Sequence, residues 1–84
     1  MESIGDILGN PALRVYERFF VETGLDDFDY LMSEDKEGWN AMLDVVAEEA
    51  QNNGVIMKPG HRMMILSRLL KAQVARRKWI NATR

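Results

Sequence analysis

The sequence has 84 residues, of which 46% are hydrophobic and 29% are charged, and it contains no cysteine. A chain of this length is one small domain, whose core uses most of its apolar side chains and leaves few for a ligand cavity. The lack of cysteine excludes disulfides, thiolate metal sites and cysteine nucleophiles. No apolar run approaches the roughly 18 residues that a membrane span needs. The first ten residues lack the features of a signal peptide, so we expect a cytoplasmic protein.

The charges are distributed unevenly along the chain. All 13 acidic residues precede residue 50, whereas residues 55–84 contain eight basic residues and no acidic residue. Residues 1–54 therefore carry a net charge of −10 and residues 55–84 carry +8. This asymmetry indicates electrostatic association, either between the two halves of one fold or with another macromolecule.

Turn signals at residues 9–11, 23–24, 33–35 and 52–54 separate segments with helical patterns. Asn10 is the predicted cap of a helix that has Pro11 at its first position and ends before Gly24. A short helix over Asp26–Met32 follows, with Asp26 as its cap. Ser33 or Asp35 caps the next helix, which ends at residues 52–54. Its apolar residues recur at helical spacing: Trp39, Met42, Leu43, Val46 and Ala50.

The last helix is the longest predicted element, from Pro59 to about Ile80, and it follows a buried connector over residues 55–57. At 1.5 Å per residue it is about 30 Å long, longer than the rest of a small bundle. We expect Trp79 and Ile80 to cover apolar residues of an N-terminal segment (residues 1–10: Ile4, Ile7 and Leu8), which packs on a domain over residues 11–84. The alternative is that the basic cluster at residues 76–78 and Trp79 dock on a membrane surface or a partner.

The chain lacks the parts of a catalytic or metal site. His61 is the only histidine, so a histidine-pair metal site and a base-relay triad are incomplete. The acidic run at residues 26–29 lacks the 12-residue loop of a calcium site. Residues 58–62 lack the second glycine of a phosphate loop. We predict a protein that is not an enzyme and holds no metal or cofactor.

The segment Gly54-Val55-Ile56-Met57-Lys58-Pro59-Gly60-His61-Arg62 resembles the signature near the end of a sterile alpha motif (SAM) domain. In that family a glycine and an aliphatic residue lead into Gly-His-Arg and a long last helix. Residues 20–31 resemble the family's passage from its first to its second helix, and the likeness covers about residues 11–74. The helix around residues 39–50 is longer than the family's third and fourth helices, and the family's leucine-rich stretch is missing. The resemblance implies an all-α, compact five-helix bundle with a long C-terminal helix.

The resemblance also implies a protein–protein interaction domain that associates head to tail, with itself or with another SAM-like domain. One partner then offers an end-helix surface, which comprises Lys58, Gly60, His61, Arg62, Met63 and Arg68. The other offers an acidic mid-loop surface, which comprises Asp26, Asp27, Asp29, Glu34, Asp35, Asp44, Glu48 and Glu49. The start of the last helix fits this role, because the nominal cap, Lys58, has no side-chain acceptor for the first backbone N–H groups. Those groups and the helix dipole favour a carboxylate from a neighbour.

Structural explanations remain open for the same residues. Gly60 can serve close helix packing, His61 can anchor the connector, and Arg62 can pair with an acid of its own chain. Nucleic-acid binding through the basic last helix is the alternative function, since some SAM domains bind RNA in this way. The net charge of −10 on residues 1–54 would repel a polyanion, so we favour a protein partner and expect homo-oligomers or open head-to-tail polymers.

Overall fold

The computed structural model describes residues 3–82, and side chains as far as Trp79. Every regular element in these residues is a helix, and the order is α1 (Ile4–Leu8), α2 (Pro11–Arg14), α3 (Glu17–Glu22), α4 (Phe28–Ser33), α5 (Lys36–Asn52) and α6 (Pro59–Ala82). Helices α2 and α3 follow one another across a tightened turn, and together they count as one of five helices. The predicted all-α bundle with a long C-terminal helix is therefore confirmed.

Short polar side chains cap the starts of α1, α2, α4 and α5. Ser3 and Asp6 form a reciprocal capping box at the start of α1. The Asn10 side chain accepts a hydrogen bond from the backbone N–H of Ala12, as its predicted role as a cap requires. The cap of α4 is Asp27, not Asp26, since the Asp27 carboxylate accepts from the N–H groups of residues 29 and 30. Asp35 caps α5.

The predicted single helix after Asn10 is interrupted at Val15 and Tyr16. The N–H of Tyr16 donates to the carbonyl of Leu13, and the N–H of Phe19 donates to the carbonyl of Tyr16. These three-residue bonds are of the 3₁₀ type, in which side chains three apart lie above one another. Leu13, Tyr16 and Phe19 are all buried. The tightened turn thus keeps three residues at a spacing of three on the core side.

The core forms around the inner face of α6, where Ile65 and Leu69 are fully buried. Helix α1 packs on α6, and its residues Ile4, Ile7 and Leu8 are buried. The remaining core comes from α2 to α5: Leu13, Tyr16, Phe19, Phe20, Leu31, Met32, Trp39, Met42, Leu43, Val46 and Ala50. The predicted apolar positions of α5 are all among them.

Two apolar residues that we expected to be buried are exposed. Trp79 is 67% exposed, so it does not cover α1, while the side chain of Ile80 lies outside the described part of the chain. The 24 residues of α6 span about 36 Å, and the molecule measures 46 × 22 × 21 Å. The end of α6 extends past its neighbours for that reason. Ile56 is 66% exposed, so the connector at residues 55–57 is not buried throughout.

Candidate interaction surfaces

The start of α6 has the cap that the sequence predicts. The carbonyl oxygen of Lys58 accepts the N–H of Arg62 at 3.0 Å, and the side chain of Lys58 is exposed. Gly60 is exposed, and an added Cβ there would meet nothing within 4 Å. Close helix packing within the chain therefore does not require glycine at this position.

His61 contacts the bundle through Tyr16. The hydroxyl oxygen of Tyr16 lies 2.7 Å from Nδ1 of His61, and the two rings meet edge to face with centroids 5.6 Å apart. His61 is half-buried and Tyr16 is buried. The contact fastens the first turn of α6 to the junction of α2 and α3, which is the anchoring role that the sequence left open.

Arg62 is engaged with α5 of its own chain. Its Nη2 donates to the backbone carbonyl of Asn40 at 2.9 Å and to Oδ1 of the same residue at 3.3 Å. Its Nη1 lies 2.8 Å from Oδ1 of Asp44. One predicted end-helix residue thus pairs with a predicted mid-loop residue inside one molecule.

The six predicted end-helix residues differ in their surroundings. His61 and Arg62 contact the chain's own bundle, and Arg68 lies towards α1, where its guanidinium is next to Gly9. Lys58, Gly60 and Met63 remain exposed at the start of the helix, and Met63 is 70% exposed. Ile56 joins them, although its hydropathy alone predicted burial.

The acidic residues of the predicted mid-loop surface divide into two groups. Asp35 and Glu49 are fourteen residues apart on α5, about 21 Å along the helix. We call the first group the α4-side acids: Asp26, Asp27, Asp29, Glu34 and Asp35. The second group, the α5 acids, is Asp44, Glu48 and Glu49. The predicted mid-loop residues therefore extend along the length of α5, with one group at each end of that helix.

The α4-side acids lie near the second half of α6. The Oδ1 of Asp29 accepts from Nη2 of Arg76 at 2.9 Å, and the Arg76 guanidinium also lies over the ring of Phe28. The buried amide of Gln73 donates to the backbone carbonyls of Met32 and Glu34. These bonds fix α4 against α6. Asp27 and Asp35 cap helices and Asp29 pairs with Arg76, whereas Asp26 is exposed and caps no helix.

The α5 acids lie beside the start of α6. The pair between Asp44 and Arg62 shows this directly, and a shallow depression lined by Asp44, Glu48, Ile56 and Met57 continues the same region. Glu49 accepts from the side-chain amide of Asn53 at 3.3 Å. Glu48 makes no side-chain hydrogen bond or ion pair with the described residues.

The described residues define an all-helical domain with open, shallow surface depressions. Within residues 3–79, no group of three or more histidine and carboxylate side chains is placed to hold a metal ion. None of the described helices is both long and apolar enough to cross a membrane. Comparison with models of protein families, with curated proteins and with solved structures found no match.

Proposed function

We propose that this domain is a noncatalytic protein–protein interaction module of the SAM type that associates head to tail. The exposed start of α6, around Lys58 and Met63, contacts the α4-side acids of a second domain. The partner is another copy of this chain or a similar domain. A role as an oligomerising scaffold or signalling domain follows from such an association.

The observation that carries the proposal is the exposure of two large apolar side chains beside a lysine at the start of a long helix. Ile56 precedes Lys58 by two residues and Met63 follows it by five, and both are exposed at the start of α6, where His61 and Arg62 make the contacts with the bundle. Interface cores combine apolar side chains such as methionine with a polar rim. An acidic surface of a partner complements the lysine and the N-terminal end of the helix dipole.

The separation of the two surfaces supports head-to-tail order. Arg62 lies at the start of α6. Arg76 lies beside the α4-side acids, since it pairs with Asp29. The two arginines are fourteen residues apart, about 21 Å along the helix. Two different surfaces so far apart on one chain favour a heterologous contact, which extends into an open chain where the rotation between copies does not close a ring.

Charge alone does not account for a stable complex. An exposed ion pair contributes about 0–1 kcal/mol, whereas a micromolar complex requires about −8 kcal/mol. Burial of Ile56 and Met63 supplies part of the difference, at about 25 cal/mol per Å² of apolar surface. We therefore expect weak association that depends on both the lysine and the apolar side chains.

Sedimentation velocity against concentration tests the proposal. The wild type is compared with Lys58→Glu/Met63→Glu and with Asp26→Lys, while Asp27 and Asp29 are retained because Asp27 caps α4 and Asp29 pairs with Arg76. We expect each variant to be monomeric and their equimolar mixture to form dimers only, since each variant keeps one intact surface. A wild type that stays monomeric at about 1 mM would contradict homotypic association at any Kd tighter than millimolar.

The exposure of Trp79 favours one alternative function, nucleic-acid binding. A free aromatic ring next to Arg77 and Lys78 is a platform on which a base can stack. Titration against a random pool of single-stranded RNA and DNA tests this alternative. Binding at micromolar protein that is lost in Trp79→Ala would support it, and no shift at that concentration would remove it.

A further inference from the structure

The outer face of α6 carries an apolar stripe of exposed side chains outside the bundle core. It consists of Met63, Leu70 and Val74, of which Leu70 is 54% and Val74 is 40% exposed. Residues seven and eleven positions apart in an α-helix lie within about 20° of one another around the axis. The three side chains therefore form one line, which begins at the exposed start of α6.

Basic side chains flank this stripe. Lys71 and Lys78 lie on one side of it and Arg77 on the other, and all three are exposed. Residues 59–82 contain no acidic residue. The outer face of α6 is thus a narrow apolar line with positive charge on both sides.

The outer face of α5 has the opposite arrangement. Ala41 and Val45 are exposed, Val45 by 49%, and they are four residues apart on one face of the helix. Glu37 and Glu48 are exposed on the same face. This outer face of α5 is an apolar line with acidic residues at both ends.

We infer that in the assembled protein the α5 outer face of one copy lies along the α6 outer face of the next copy, with the two helices parallel. This inference rests on the proposed function and extends its contact from the start of α6 to Val74. Met63 to Val74 and Glu37 to Glu48 both span eleven residues, about 17 Å. The parallel order brings the start of α6 to the start of α5, where Asp35 and the other α4-side acids lie. Lys78 then lies near Glu48.

Three other occupants fit the α6 outer face less well. A second α6 would place lysines against lysines, which is repulsive. The second occupant is the surface around the exposed residues Val15 and Val21. Charges of both signs surround these valines (Arg14, Glu17, Arg18 and Glu22), so this surface has no net negative potential to complement the basic α6 outer face. The third occupant is a bilayer, into which Trp79 would have to insert together with the stripe. Trp79 follows Val74 by five residues, so it lies about 140° from Val74 around the helix axis.

Two double variants test the surface. Leu70→Glu/Val74→Glu alters the α6 outer face and Ala41→Lys/Val45→Lys alters the α5 outer face, both at exposed positions. We expect each to raise the Kd for self-association at least about tenfold, as loss of central interface residues does, and their mixture to form dimers. Val15→Glu/Val21→Glu is the matched control with equally exposed valines, and it should associate like the wild type. Circular dichroism checks that each variant keeps its fold.

The variants separate this inference from the proposed function. If Leu70→Glu/Val74→Glu associates like the wild type while Lys58→Glu/Met63→Glu is monomeric, the extended surface is overturned and the proposed function stands. If only Leu70→Glu/Val74→Glu and Ala41→Lys/Val45→Lys weaken association, the contact between the α5 and α6 outer faces stands without Met63, and the proposed contact of the helix start is overturned. A wild type that is monomeric at about 1 mM overturns both.

A charge swap within one chain tests the parallel order. Lys78→Glu and Glu48→Lys should each weaken association by about two- to fivefold, the range of an exposed ion pair. The chain that carries both changes should regain wild-type affinity, because every contact then holds the reversed pair. The control chain Lys78→Glu/Glu37→Lys should remain weak. Recovery in that control instead would overturn the parallel order.

Discussion

The hydroxyl oxygen of Tyr16 lies 2.7 Å from Nδ1 of His61 and joins the tightened turn between α2 and α3 to the first turn of α6. Tyr16 is buried, so its hydroxyl depends on this partner instead of water. The contact fixes where α6 leaves the bundle. It therefore also fixes the direction in which Lys58 and Met63 are presented.

Removal of the Tyr16 hydroxyl should lower stability without changing association. We expect Tyr16→Phe to lose about 0.5–1.5 kcal/mol of unfolding free energy, the usual contribution of one hydrogen bond. Urea denaturation measures the loss, and Tyr30→Phe, at an exposed position, is the control. An unchanged unfolding free energy with weakened association would mean that the His61 contact serves the interface and not the fold.

Arg62 should contribute to the stability of the monomer. Arg62→Met removes the hydrogen bonds to Asn40 and the pair with Asp44, and we expect a loss of about 1–2 kcal/mol in urea denaturation. The exposed Arg77→Met is the matched control and should change stability by less than about 0.5 kcal/mol. Equal effects of the two substitutions would contradict the contacts of Arg62 with α5. Asp44 is largely exposed, so a double-mutant cycle of this pair should give a coupling below about 1 kcal/mol.

The amide of Gln73 should be essential for the attachment of α4 to α6. Its Nε2 donates to the carbonyl of Met32 at 2.8 Å and to the carbonyl of Glu34 at 2.7 Å. Gln73→Leu leaves both carbonyls without their donor, and we expect a loss of about 1–3 kcal/mol. Gln51→Leu, on the exposed side of α5, is the control in the same thermal and urea measurements. A neutral Gln73→Leu would show that water replaces the amide.

Gly60→Ala should raise the free energy of unfolding and weaken self-association. The added methyl group meets no atom of the chain, and alanine is a better helix former, so we expect a gain of up to about 1 kcal/mol. Association should weaken, because the methyl group stands on the surface that we propose as the contact with the partner. Gly24→Ala is the contrasting control, since Gly24 has a φ of 74° and alanine is strained there. A loss of stability in Gly60→Ala would contradict the open space at this position.

The Asp6 carboxylate should stabilise α1 in a pH-dependent way. Hydrogen bonds from the backbone N–H and the hydroxyl of Ser3 lower the pKa of Asp6 below its usual value of 3.8. A carboxylate whose pKa is lower in the folded state adds stability above the unfolded pKa and loses it as the pH falls through the folded pKa. The stability difference between the wild type and Asp6→Asn should therefore be complete near about pH 6 and shrink below about pH 4. A difference that stays constant with pH would contradict the capping box.

The sequence by itself determined the helices and most of the core. Apolar residues at helical spacing identify the buried face of α5, and Asn10, Pro11 and Gly24 mark helix ends by their local backbone chemistry. These signals depend only on neighbours along the chain. The positions of the charges were also evident, since every base after residue 55 lies in a segment without acids.

Only the tertiary structure decided which charges meet and which apolar residues are left exposed. Arg62 and Asp44 are brought together by the packing of α5 on α6, a relation that no local pattern encodes. Ile56 and Trp79 have the hydropathy of core residues, but burial depends on neighbours in space. Trp79 is exposed because α6 is longer than the bundle beside it, and the outer face of α6 is free because the core is already complete on the other side.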